Sequence, residues 1–80
     1  MEDKEILAHV ERLVKEEHAL MQRHEEGTIE RGDRDRMREL QISLDRAWDL
    51  LRQRRGMRDR GEDPNDARER PAGVVEDYKQ

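Results

Sequence analysis

Apolar residues return along two stretches of this chain at helical intervals. In the first stretch, Ile6, Val10, Leu13 and Leu20 fall on one stripe, with Glu17 and His24 filling the same 4-3-4-3-4 spacing. Leu7, Val14 and Met21 widen that stripe to one side. The spacing predicts a helix over about 3–25, with Asp3 as N-cap and Gly27 just past its end. In the second stretch, Met37, Leu40, Leu44, Ala47 and Leu51 repeat the pattern, flanked by Gln41, Trp48 and Arg55. This predicts a second helix over about 33–57, capped by Asp33. Ile42 points away from its stripe and Leu50 lies off its edge, a hint that this helix meets more than one neighbour.

Only Gly27–Gly32 separates the two patterns, and a connection this short joins antiparallel neighbours. The expected fold is all-α: an antiparallel two-helix hairpin over 1–60 and a C-terminal tail over 61–80. The segment Leu44–Arg55 is its centre, with Trp48 packed opposite Leu13. The expected core is Ile6, Val10, Leu13, Leu20, Leu40, Leu44, Trp48 and Leu51. Two helices cannot bury stripes this wide, so a second copy is expected to complete a four-helix bundle.

After Arg60 the periodicity stops. Gly61–Asp66 is turn chemistry, and Asn65 or Asp66 is placed to cap a single turn through Ala67–Glu69. Val74, Val75 and Tyr78 are the last apolar cluster. Two readings stay open for this tail: a disordered segment, or an arm that turns at Gly61–Pro64 and runs back so that Val74, Val75 and Tyr78 dock on an apolar patch, around Leu50 or on the surface of a dimer mate or partner.

Composition sharpens this picture. Charged residues make up 48% of the chain and hydrophobic ones 31%, which is thin material for a core in 80 residues and favours oligomerisation. The net charge of −4 divides unevenly. Residues 1–30 carry −5, 31–60 carry +4 and 61–80 carry −3. Acidic flanks beside a basic middle favour internal pairing over nucleic acid. There is no Cys, hence no disulfide or thiolate chemistry, which fits a reducing cytoplasm. The charged N-terminus and the lack of a long apolar run point to a cytoplasmic protein without a membrane partner.

Candidate chemistry is sparse. Di-metal sites in bundles use Glu three residues before His, but Ile6, Lys15 and Met21 stand before His9, His18 and His24. No phosphate loop or nucleophile constellation is present, so no enzyme activity and no cofactor are expected. The basic run Arg52, Arg54, Arg55, Arg58 and Arg60 is the candidate interaction surface, alongside Val74, Val75 and Tyr78. Planar guanidinium groups suit phosphate, yet cations also collect at helix C-termini because the dipole favours them.

The string Trp48-Asp49-Leu50-Leu51-Arg52-Gln53-Arg54-Arg55 is distinctive. Together with Leu44-Asp45-Arg46, Asp63-Pro64, Arg70-Pro71, Val74-Val75-Glu76 and Tyr78, it resembles a family of short actinobacterial proteins of unknown function. Ile6-Leu7 and Glu16-Glu17-His18 extend the likeness to most of the chain. The resemblance implies that the tail belongs to the protein's own design, and it carries no activity or functional residue across. The resulting expectation is a bacterial helical interaction module that self-associates as a homodimer and engages a further protein partner. The alternative is a nucleic-acid- or ribonucleoprotein-associated factor using the Arg52–Arg60 face.

Overall fold

The computed structural model describes residues 2–73. Helix α1 spans Asp3–Glu25 and helix α2 spans Asp33–Asp59. They lie antiparallel, and a single turn of 3-10 helix, Pro64–Asp66, follows. The two-helix hairpin expected from the spacing is what forms. The cluster Val74, Val75 and Tyr78 lies outside the described residues.

The helix ends show why the hairpin closes where it does. At the start of α1 the residue before Asp3 takes the capping position: the Glu2 N–H donates to the Glu5 carboxylate at 3.3 Å. Asp3, expected there as the cap, is free for another task. At the other end, Gly27 adopts φ +73° and the Thr28 N–H donates to the Arg23 carbonyl at 2.8 Å. That bond reaches back five residues and satisfies an orphan carbonyl, a closure that a left-handed glycine makes possible. The same device ends α2, where Gly61 at φ +77° lets the Glu62 N–H donate to the Met57 carbonyl at 2.7 Å. Asp33 is the first residue of α2 rather than its cap. Its carboxylate accepts from the Glu30 N–H at 2.8 Å and from the Arg23 guanidinium at 3.0 Å, tying the loop to both helices.

The buried apolar core is Ile6, Val10, Leu13 and Leu20 from α1 against Leu40, Leu44, Ala47 and Leu50 from α2. Six of the expected core residues are therefore buried as read from the spacing. Trp48 is not: it is 46% exposed, and Leu51 is only half-buried. The reason is geometric. Leu40, Leu44, Ala47 and Arg54 form the line nearest α1, and residue 48 stands about 100° around the helix from residue 47. Ala47 is buried at the contact, and the indole one residue on is left at the margin. Leu50, placed off the stripe by its spacing, is buried instead on the opposite margin.

The chain beyond α2 turns at Gly61 and runs back along it. The single turn lies at Pro64–Asp66 and not at Ala67–Glu69 as expected, because Asp63 caps it by accepting the Asn65 N–H at 2.9 Å, with Pro64 in the first position. From there polar groups of α2 hold the strap. Gln53 Nε2 donates to the Arg68 carbonyl at 2.8 Å and Arg46 Nε to the Arg70 carbonyl at 2.9 Å. Arg70 Nε donates to the buried Asp49 carboxylate at 3.0 Å, and Arg46 pairs with Glu69 at 3.3 Å. Ala67 is the strap residue that packs on the core.

Arg54 joins all three segments. Its side chain is 4% exposed, at a position the helical repeat assigns to the core. Its Nε donates to Asp3, and its Nη1 donates to the Pro64 carbonyl at 3.0 Å and to Asn65 Oδ1 at 3.2 Å. Arg58 reaches the second oxygen of Asp3 at 2.6 Å. Removing a charge-bonded partner of this kind costs about 1.5–3 kcal/mol, because Asp3 and the strap acceptors lose it together. Arg54→Met is expected to lower the chemical-denaturation midpoint by that order and to speed amide exchange in 63–70. Arg58→Met, on an exposed pair, should stay within about 1 kcal/mol of wild type.

The exposed pair Glu16–Arg36 gives a pH signature. The Arg36 guanidinium, hydrogen-bonded to both carboxylate oxygens, holds the Glu16 carboxyl below the usual carboxylate range. A carboxyl whose pKa falls on folding stabilises the fold above its unfolded pKa and loses that effect as pH falls through its folded pKa. The contribution is thus complete at neutrality and fades below about pH 4. Glu16→Gln should be less stable than wild type at neutral pH, and the two denaturation curves should converge in strong acid. A gap that stays constant with pH would show that the pair does not titrate with folding.

Candidate interaction surface

The hairpin has two sides, and they differ. Taking 100° per residue, Leu7, Val14 and Met21 fall on one side of the α1 contact line. Because the helices are antiparallel, the matching side of α2 carries Gln41, Trp48, Leu51 and Arg55. The opposite side carries Leu50 with His9 and Arg12, which line a shallow groove closed by Glu69 of the strap. The chain's own return lies along the open-end half of this side, as far as Arg46, and the other side presents a strip of apolar residues. On that strip Leu7, Met21 and Trp48 are each 46% exposed, while Val14, Met37 and Leu51 are half-buried at its base. The molecule is only 15 Å through its thinnest dimension, so the hairpin supplies no second layer to cover it. Contiguous apolar surface of this kind marks a docking face more often than scattered exposed leucines do.

The arginine run expected to act as a unit is divided. Arg54 is buried in the junction, Arg58 is engaged with Asp3, and Arg60 chelates the Glu62 carboxylate at 3.0 and 3.3 Å. That bond lowers the Glu62 pKa and raises that of Arg60. Arg52 and Arg55 instead border a depression with Asp45, Trp48 and Leu51. Their charges thus frame the apolar strip rather than form a continuous phosphate face. A second, more polar groove runs between α2 and the strap, lined by Arg52, Arg60 and Arg70 facing Asp49, Glu62 and Asp66. Its opposed charges balance, which leaves no net attraction for an anion.

The strap clamps Arg46, Asp49, Gln53 and Arg70 had no signature in the sequence, since polar residues on a helix back look like any solvated face. The strip did have one: Leu7, Val14 and Met21 repeat every seven residues, the interval of a second seam. Among the described residues, no three His, Asp or Glu side chains come together as a metal site, and no helix is long and apolar enough to cross a membrane.

These features define a class: a small all-α hairpin with a polar-clamped return strap and one bare apolar side. The chain belongs to the family described as protein of unknown function (DUF2630), which it matches over residues 2–80. It is 48% identical over 77 residues to the uncharacterized protein Rv0898c of Mycobacterium tuberculosis and equally to the uncharacterized protein Mb0922c of Mycobacterium bovis. Each match covers 95% of this chain and 88% of the relative. No solved structure matches.

Proposed function

We propose that this protein is a non-enzymatic interaction module that self-associates through the side bearing Leu7, Val14, Met21, Trp48 and Leu51. One observation carries the reading: on the side away from the strap, Leu7, Met21 and Trp48 stay half in water. A second copy offers the same strip, and two such strips face to face restore the burial that a four-helix bundle provides. The internal pairing of Arg54, Arg58 and Arg60 weighs against a phosphate-binding role.

Sedimentation equilibrium over a wide concentration range tests this. Wild type should pass from monomer to dimer, with Trp48 emission shifting to the blue across the same range. Leu7→Glu, on an exposed position, should change the stability of the monomer by no more than about 0.5 kcal/mol and remain monomeric throughout. A folded wild-type chain that stays monomeric at every concentration would overturn the proposal.

A further inference from the structure

The far side of α2 is closed in places that α1 cannot reach. Leu40, Leu44, Ala47 and Arg54 mark the line that faces α1, and Ile42, Asp45 and Asp49 lie on the opposite side of the helix. Charged residues so placed on a two-helix hairpin are ordinarily wet. Asp45 and Asp49 are instead each 5% exposed, and Ile42 is half-buried. For Asp49 the cover is plain, since Arg70 Nε and Gln53 Nε2 each donate to its carboxylate at 3.0 Å and the strap passes over it. Asp45 sits one turn nearer the loop end, where Gln41 Nε2 donates to it at 3.4 Å. Neighbours on the same helix do not by themselves close off a carboxylate on its outer face, and α1 is on the other side. The remaining cover for Asp45 comes from the chain that follows Arg70.

The path of the strap points the same way. Pro64 and Asn65 sit at Arg54, Arg68 at Gln53, and Arg70 at Arg46 and Asp49, so the strap travels along α2 toward the loop end. The next positions on that track are Asp45 and Ile42. Ala72 is half-buried, and the backbone is helical at Ala72 and Gly73. Ala72, Val75 and Tyr78 recur at three-residue intervals, the spacing of one helix face, with Val74 four residues before Tyr78. Glu76 and Asp77 fall off that face and so stay clear of Asp45 and Asp49. The step from Arg70 to Val74 spans about 6 Å at the helical rise, which is one turn along α2.

We infer that residues 74–80 dock on the outer face of α2 of the same chain, at Asp45 and Ile42, with Val75 and Tyr78 packed on Ile42. The surface around Leu50 is not open to them, because Leu50 is 8% exposed and Glu69 of the strap borders the groove beside it. The docking uses none of Leu7, Met21 and Trp48, so it is independent of the self-association proposed above.

The sequence contains no Cys, so disulfide trapping reads single pairs. Full-length chains carrying Ile42→Cys with Val75→Cys, or Leu7→Cys with Val75→Cys, are oxidised mildly at low concentration and the products resolved by mass. The first pair should close within the monomer several-fold faster than the second. In parallel, the Ile42 methyl signals of the wild-type chain and of full-length Val75→Glu are recorded with a soluble paramagnetic probe. Ile42 should be more strongly relaxed in the variant, while buried Leu40 stays shielded and reports an intact hairpin. Equal closure of the two pairs, or faster closure of the pair with Leu7→Cys, would overturn the inference. Ile42 relaxation that Val75→Glu leaves unmoved would do the same. Disulfide-linked dimers formed on mixing the single variants Ile42→Cys and Val75→Cys, without closure in the doubly substituted monomer, would place the segment on another copy and overturn it as well.

Discussion

Arg54 brings a full charge into a position that the helical repeat gives to the core, and three segments close around it. Asp3 comes from the first turn of α1, the Pro64 carbonyl and Asn65 from the strap, and the guanidinium itself from the last third of α2. A buried charge is tolerated only where its donors are matched, so the three segments are specified together. The planar fork suits this task, since Nε and Nη1 point at different partners from one rigid group. The contact sets the register of the open end of the hairpin. The Arg23–Asp33 pair does the same at the loop end.

From that constraint the asymmetry of the molecule follows. The strap leaves Gly61 and is drawn back over α2, where Gln53, Arg46 and Asp49 hold its backbone and side chains almost without apolar help. The side it follows is closed. The other side keeps Leu7, Met21 and Trp48 half in water, and these are the exposed large apolar side chains among the described residues.

Much of this was legible in the sequence. The 4-3 spacing located both helices, and the bracketing glycines located both turns, because period and left-handed closure are local properties. The assignment of Trp48 to the core failed for a non-local reason. Helical spacing argued for burial, but which residues of a wide stripe face the partner helix depends on how the two helices are rotated against each other, and that rotation buries Ala47 and leaves Trp48 46% exposed. The same limit applied to Arg54. Grouped with its basic neighbours it looked like surface, and only the tertiary partners Asp3 and Asn65 explain its burial. Of the strap, the turn at Gly61–Pro64 was readable from turn chemistry, while the docking of Val74, Val75 and Tyr78 expected beyond it lies outside the described residues. The individual clamps were not readable, since a polar residue that grips a backbone carbonyl has no pattern to betray it.

Under the proposed self-association, the side of the hairpin bearing Leu7, Met21 and Trp48 is closed by a second copy. Solvent paramagnetic relaxation of assigned methyl and indole signals, recorded at low and at high protein concentration, tests it most directly. Ile6, Leu20, Leu40 and Leu50 should be shielded from the probe at both concentrations. Leu7, Met21 and the Trp48 indole should be strongly relaxed when dilute and shielded when concentrated. If those three are already shielded in the dilute monomer, or remain equally relaxed at high concentration, the claim is contradicted.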